Sequence, residues 1–529
     1  MIKITEEKRF EALSPFELKN KLIQLASSHQ ERMMLNAGRG NPNWVANIPR
    51  DAFFLFGHFA VEESERNAIR PTFGSFAKTE GLEKRFEDFL NQHEDDKHIV
   101  FLKKAFDYVR NELKIDGDKF VCEMVDAILG DHYPYPDRML ECCEIITQKY
   151  IDQEMCANNP PPGKIDLFPT EGGTAAMDYI FNSLMENKLL HKGDKIALGS
   201  PIFTPYIEIP RLNDYEFVEL EIVQDENNYW QYPNKELEKL LDPKVKAFFL
   251  VHPSNPTAVC MHQDSLEKIA DLVKTKRPDL ILLTDDVYGT FVNGFKSLIS
   301  IAPHNTILVY SYSKYFGATG WRLGVIGIHE NNVFDKMIAR LPRKDFAELH
   351  KRYSTVELDP DKMKLIDRMV ADSRSVALHH TAGLSTPQQV LIAFFSLYCL
   401  IDKENKYKQT AQEIVKHRFE LLYKAIGIDC PENKYGTHYY TIIDIPKLAA
   451  TRYDQKFADY LEKTFEPIDF VMRLASEKSV VLLNGGGFDA PDMSVRVSLA
   501  NLPDDEYTKI GEAISELLEE YYKYWQKKK

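Results

Sequence analysis

The sequence predicts an α/β protein, a mostly parallel sheet with flanking helices, joined to a smaller α+β domain. Between about 160 and 330, short apolar runs alternate with helical patterns: Lys195–Leu198, Ala247–Val251, Ile281–Thr284, Thr306–Tyr310 and Leu323–Ile328. Such alternation marks strands linked by crossover helices. After Lys406 the pattern changes to a long charged helix, then Tyr439–Ile445, Val480–Leu483 and Val495–Leu499, then a final helix rich in Glu and Tyr. At 529 residues the chain exceeds one compact core, which calls for about two or three domains.

Composition narrows the class. Hydrophobic residues make up 44% and charged residues 28%, an ordinary globular balance. A net charge of −14 argues against nucleic acid or an anionic membrane as a partner. No basic–apolar–small pattern opens the chain, so no export is expected. The longest nearly apolar run, Val390–Ile401, is too short to cross a bilayer and reads as a buried helix. Seven cysteines without Cys-x-x-Cys spacing suggest reduced thiols and a cytoplasmic location. The adjacent pair Cys142 and Cys143 needs no function.

The chemistry-bearing motifs fall at the ends of these strands, where α/β folds bind ligands. The run Ser311-Tyr-Ser313-Lys314-Tyr-Phe-Gly317-Ala-Thr-Gly320-Trp-Arg322-Leu-Gly324 sets a lysine between small-residue clusters, with an arginine following. A crowded lysine amine suits covalent capture of an aldehyde, and a guanidinium fork suits a phosphate dianion. Together they point to pyridoxal 5′-phosphate (PLP). A lone lysine at a strand end would instead be a solvated surface residue; the length of the pattern decides against it.

Upstream, Ile281-Leu-Leu-Thr284-Asp285-Asp286-Val-Tyr288 is an apolar run ending in carboxylates. Asp285 suits the protonated pyridine nitrogen and Tyr288 the phenolate oxygen; the competing reading is a helix cap. Phe248 to Pro256 reads as a strand breaking into a Pro-rich turn, with Asn255 placed for the same oxygen. Phe168-Pro-Thr-Glu-Gly172-Gly173-Thr174 is a Gly-rich turn entering a helix, whose free amides can cradle a phosphate. Phe203 is a candidate for stacking on the cofactor ring, although an isolated aromatic is more often core.

The order and spacing of these segments resemble fold-type I PLP enzymes of the class I aminotransferase group. The resemblance implies that Gly173, Thr174, Ser311, Ser313 and Arg322 hold the phosphate. Asn255 and Tyr288 would contact the phenolate oxygen, Asp285 the pyridine nitrogen and Lys314 the aldehyde carbon. Met493-Ser-Val-Arg496-Val-Ser-Leu-Ala500 resembles the segment whose arginine grips the substrate α-carboxylate, a task suited to a bidentate pair; a solvent-facing arginine is the alternative. Tyr133 resembles the tyrosine that reaches the phosphate from a neighbouring subunit, with an exposed Tyr-Pro turn as the competing reading.

The N-terminal segments Leu13-Ser-Pro-Phe-Glu-Leu-Lys19 and Leu35-Asn-Ala-Gly38-Arg39-Gly40-Asn-Pro-Asn43 narrow the resemblance to the L-aspartate β-decarboxylases. So do Gly172-Gly-Thr-Ala-Ala-Met177, Asp285-Asp-Val-Tyr-Gly-Thr-Phe291 and His380-Thr-Ala-Gly-Leu-Ser-Thr-Pro-Gln-Gln389. The implied domains are an N-terminal segment, 1–50, joining the small domain; a helical insertion, 51–140; a large PLP-binding domain, 141–400, with a second insertion at about 334–375; and a small C-terminal domain, 401–529. Subunit packing is the expected use of both insertions. The family resemblance further implies a homo-oligomer built from dimers, up to a dodecamer.

It also implies conversion of L-aspartate to L-alanine and CO2, with aspartate aminotransferase activity as a lesser reaction and keto acids such as pyruvate restoring the cofactor. Arg39 stands where related Gly-x-Gly-x-Pro turns carry an uncharged residue; with Gly40 at the substrate, a cation there implies an extra acidic group or a developing charge nearby. Lys19 matches a family position near the active site, while from sequence alone it reads as a cation on an amphipathic helix. Around Thr381, before Ser385-Thr-Pro, there is no arginine of the kind some aminotransferases use to hold a distal carboxylate. A tight ion pair there would stabilise the charge that departing CO2 must lose.

The alternative function is aspartate or other amino-acid transamination without significant decarboxylation. A non-catalytic regulator on this fold would lack Lys314 or add a basic DNA-binding domain, and the chain does neither. His379–His380 and Gly485–Gly487 stay unassigned, having neither metal-ligand nor dinucleotide context, and no metal is expected.

Overall fold

A computed structural model describes residues 4–11, 13–27, 34–93, 97–132, 138–203, 205–374 and 383–528. The chain divides into two compact units. One comprises Met1–Trp44, Lys195–Ile269 and Lys408–Lys529; the other comprises Val45–Asp194 and Ala270–Tyr407.

In the second unit, the strands Ile281–Asp285 and Thr306–Ser311 pair in parallel. Gly324–His329 pairs antiparallel to Thr306–Ser311 on one side and to Ile165–Thr170 on the other. All of these strands are buried throughout, as expected for a sheet covered on both faces. Helix Gly173–Glu186 packs on Thr306–Ser311 and Gly324–His329. The strand Ile165–Thr170 was not legible in the sequence because Pro169 interrupts it. Proline is tolerated there because the strand ends the sheet order.

The apolar run expected to form a buried helix lies in Thr386–Ile401. It packs against helices Glu141–Met155, Asn47–Arg66, Lys97–Asn111 and Gly117–Leu129. Phe56 meets Phe86 at 4.9 Å and Phe394 at 5.8 Å between ring centroids. An element apolar on all sides is stable only when neighbours cover it; besides these helices, the rings of Tyr312 and Phe316 pack on its Phe395.

In the first unit, Lys195–Ser200 pairs in parallel with both Val218–Val223 and Val245–Val251. Parallel pairing thus outnumbers antiparallel pairing across the two sets of strands. Val218–Val223 also escaped the sequence reading. Its run Val-Glu-Leu-Glu-Ile-Val carries two glutamates and is mostly exposed, unlike a covered strand.

The same unit holds the antiparallel set Leu483–Asn484, Ser494–Ser498 and Tyr440–Asp444. Leu35–Asn36 pairs in parallel with Val480–Val481. Helix Pro15–Ser27 packs on Asp469–Lys478, which also contacts the long helix Asp504–Lys528. Leu22, Ile445, Phe457, Leu474, Val497 and Ile514 share its continuous apolar core.

Candidate active site

In the second unit, Lys314 follows the strand Thr306–Ser311 and is half-buried. Three side chains clamp its turn through backbone carbonyls. Arg50 donates to Gly317 at 2.7 Å, Tyr407 to Tyr315 at 2.8 Å and Gln388 to Trp321 at 2.6 Å. The sequence reading missed all three. Each acts on main chain across a long separation, so only the Ser385…Gln388 capping spacing carried any local signal.

The candidate phosphate ligands converge beside that turn. Ser311 Oγ lies 2.9 Å from Ser313 Oγ. Arg322, at φ 57°, donates to the carbonyls of Thr319 at 3.0 Å and Glu171 at 3.2 Å. Gly172, at φ +92°, precedes helix Gly173–Glu186 without a side-chain cap. A Cβ on Gly172 would come within 2.5 Å of Arg322 Nη2, and one on Gly324 within 2.8 Å of the Gly172 carbonyl carbon. Only glycine permits this approach. The result is a helix N-terminus, serine hydroxyls and a guanidinium at one place, a donor set suited to a phosphate dianion. Gly173 is half-buried and Thr174 exposed.

Asp285 ends the strand Ile281–Asp285, with Oδ1 accepting the Val287 N–H at 3.2 Å. Tyr288 follows and is buried. Successive strand residues face opposite sides: Thr284 and Asp286 share one face, where the threonine hydroxyl donates to Asp286 Oδ1, and Asp285 takes the other. Burial raises the Asp286 pKa to about 8, outweighing the hydrogen bonds from Ser297 and Thr284, and the charge of Asp285 raises it further. Asp286 is therefore held as a neutral acid near pH 7, on the face opposite the one that Asp285 takes.

The first unit gathers the remaining candidates. Arg496 is only 1% exposed, on the central strand of its antiparallel set. Its Nη1 donates to Asn255 Oδ1 and its Nη2 to the Gly38 carbonyl, both at 3.0 Å. Its guanidinium carbon lies 4.3 Å from the Tyr440 ring centroid and 4.8 Å from that of Phe488. The Gly38–Gly40 turn is thereby tied to the arginine strand. Ser498 N–H donates to Ala37 O at 2.9 Å, and Tyr439 donates to the Gly40 carbonyl at 2.8 Å. Arg39, between them, is exposed.

Lys19, on helix Pro15–Ser27, has its pKa lowered, first by burial and next by the charge of Arg39, with Arg496 also contributing. The structure thus brings Lys19, Arg39 and Arg496 within electrostatic reach of one another. Phe203 is half-buried and meets Tyr206 edge-on at 5.3 Å. Near Asn255, His252 accepts the Met261 N–H at 3.0 Å, and burial holds its pKa down to about 3. Tyr133, Thr381 and His379–His380 lie outside the described residues.

Residues 170–514 match the family model of class I and II aminotransferases. The chain belongs to this family. It is 50% identical over 512 residues, 96% of either chain, to a bifunctional aspartate aminotransferase and L-aspartate beta-decarboxylase of a Pseudomonas species. In structure it resembles the aspartate aminotransferase of Thermus thermophilus solved with maleate, at TM-score 0.56 and 17% identity, covering 98% of this chain and 100% of that one. A Pyrococcus protein, termed protein-A1, is similar at TM-score 0.60 and 17% identity, with 98% and 99% covered. The fold is therefore that of fold-type I aminotransferases, an α/β architecture.

PLP is the cofactor of this aminotransferase family, and the residues fit it. The close Gly172–Gly324 approach, which a Cβ would fill, suits a cradle for its phosphate. Lys314 supplies an amine and Asp285 a carboxylate from neighbouring strand ends. Among the described residues, no helix is long and apolar enough to cross a membrane.

Proposed function

We propose that this aminotransferase-family enzyme is an aspartate 4-decarboxylase, removing the β-carboxylate of L-aspartate as CO2 and releasing L-alanine, with aspartate transamination as its lesser activity. The observation that carries this is the near-full-length similarity to the bifunctional Pseudomonas enzyme.

Bound PLP would supply an aldehyde for covalent capture of the substrate amine and a conjugated ring that accepts electrons released at the substrate carbons. In this reading Gly173, Thr174, Ser311, Ser313 and Arg322 grip its phosphate, with Tyr133 added from a neighbouring subunit, and Phe203 covers the ring. Asp285 keeps the pyridine nitrogen protonated. Tyr288 and the amide of Asn255 hold the phenolate oxygen. The Asn255 oxygen accepts from Arg496, so its donor end is the one suited to an anion. Lys314 carries the aldehyde, then takes and returns the proton at the substrate Cα as a general base.

Arg496 holds the α-carboxylate, with the Gly40 turn alongside. Lys19 and the exposed Arg39 attract the second carboxylate by charge, in place of the bidentate pair whose arginine the sequence lacks around Thr381. Its charge is thus recognised without being locked against loss of CO2. Burial first, and then the positive charges of Arg39 and Arg496, lower the Lys19 pKa; a second substrate carboxylate would offset the charge repulsion. An aspartate dianion is matched better than a monocarboxylate amino acid. Keto acids such as pyruvate would restore the cofactor after transamination.

The test is incubation of the PLP-loaded protein with L-aspartate and no keto acid. Alanine and CO2 formed in equal amounts over many turnovers support the proposal. A single stoichiometric burst of oxaloacetate, without CO2, would sink it in favour of an aminotransferase.

The same reading places the enzyme in the cytoplasm, as an oligomer of dimers up to a dodecamer. Segment 1–50 joins 401–529 as a small domain, 141–400 forms the large domain, and the insertions 51–140 and 334–375 serve subunit packing. Light scattering should give a mass that is an even multiple of the 61.1 kDa chain; a monomer would contradict this.

A further inference from the structure

The run Gly485-Gly486-Gly487-Phe488 has no part in the chemistry above, yet it touches several elements of the carboxylate site. Phe488 is fully buried. Its ring lies 4.8 Å from the Arg496 guanidinium carbon, a cation–π distance. Its carbonyl accepts the Ile202 N–H at 3.0 Å, next to Phe203.

The glycines explain how the turn fits. A Cβ on Gly485 would collide with Ser494 Oγ, at the start of the arginine strand. A Cβ on Gly487 would collide with Pro15, the first residue of the helix that carries Lys19. Gly485 N–H donates to Ser494 O at 2.8 Å, closing the turn onto the strand. One short segment is thus wedged between the Arg496 strand and the Lys19 helix.

We propose that the Gly485–Phe488 turn is a positioning element for dicarboxylate recognition: Phe488 holds the Arg496 guanidinium in place, and Gly487 sets the approach of the Lys19 helix to it. Phe488 does not touch substrate and acts through Arg496. The proposal rests on the assignment of Arg496 to one carboxylate and of Lys19 with Arg39 to the other. It adds that the separation of these two anion-binding groups is set by the absence of a side chain at Gly487.

Competitive inhibition of the PLP-loaded enzyme by succinate and by butyrate, equal in carbon number but differing by one carboxylate, separates the two roles. Phe488→Leu keeps an apolar side chain and loses the π face. It should weaken both inhibitors, and raise KM for aspartate, by roughly tenfold, with kcat within about twofold. Gly487→Ala should weaken succinate by roughly tenfold and leave butyrate within about twofold, because only the Lys19 side is displaced.

Unchanged inhibition constants in Phe488→Leu would overturn the proposal, as would Gly487→Ala weakening both inhibitors alike. A wild-type enzyme that binds succinate no better than butyrate would instead overturn the underlying dicarboxylate reading, and the positioning role with it.

Discussion

In the unit formed by Val45–Asp194 and Ala270–Tyr407, four of the candidate cofactor groups, Ser311, Ser313, Lys314 and Arg322, lie close in sequence, between the end of the strand Thr306–Ser311 and the start of Gly324–His329. In the other unit, the carboxylate-binding candidates are scattered. Arg496 bonds to partners 241 and 458 residues away, and Lys19 enters from the N-terminal helix. The first set is positioned mainly by backbone: glycine conformations, a helix N-terminus and carbonyls clamped by Arg50, Tyr407 and Gln388. The second is gathered around one side chain: Arg496 bonds the Asn255 amide oxygen and the Gly38 carbonyl and lies against the Tyr440 and Phe488 rings. The first should be sensitive to its glycines and to the three clamping side chains, whereas the second should be sensitive to each neighbour of its arginine.

Substitutions in the two units should therefore separate cofactor retention from substrate affinity. The largest effect is expected from Lys314→Ala, which should lower turnover by at least about a thousandfold and leave no PLP attached to the chain after borohydride reduction. Normal turnover in that variant would remove Lys314 from the site. Arg496→Ala should raise KM for aspartate roughly a hundredfold while PLP affinity holds. Lys19→Ala should do the same more weakly. Equal affinities in these two variants would contradict the carboxylate assignment. Arg322→Ala should show the opposite selectivity, losing about tenfold or more in PLP affinity. If it weakened aspartate and PLP alike, the division between the units would not hold.

The smaller effects concern pH. A lowered Lys19 pKa means that its charge is lost at a pH below the ordinary lysine range. Aspartate affinity should fall as pH rises through that point, and Lys19→Arg should move the fall to higher pH. An unmoved profile would exclude Lys19 as the titrating group.

Asp286 bears on the cofactor side through stability. Its folded pKa, about 8, lies above the ordinary 3.8. The stabilisation of the protonated acid is full below the ordinary value and is lost as pH rises through the folded one. Asp286→Asn should thus gain on the wild type as pH rises, with the melting difference shifting by about 2 °C or more between pH 5 and pH 9. A flat difference would mean that Asp286 does not titrate in the folded protein.

The strands that carry Asn255, Asp285 and Lys314 were legible because their apolar runs are continuous, as burial on both faces requires. Ile165–Thr170 and Val218–Val223 were not, since each ends its sheet order and so tolerates a proline or a row of charges. Lys19 was ambiguous for a different reason. Its helix is amphipathic, and nothing local distinguishes a lysine facing solvent from one facing two arginines. The triple glycine was visible but unreadable, because the atoms it makes room for belong to Ser494 and Pro15.

The sequence by itself determined the α/β class, the family and the cofactor, because a lysine turn, a Gly-rich helix start and carboxylates at strand ends are local patterns that backbone geometry makes recognisable. Tertiary structure alone decided that Lys19 lies in the field of Arg39 and Arg496, that burial raises the Asp286 pKa, and that Phe488 presses on Arg496. Those facts depend on burial and on through-space charge, which arise only when segments hundreds of residues apart pack against one another.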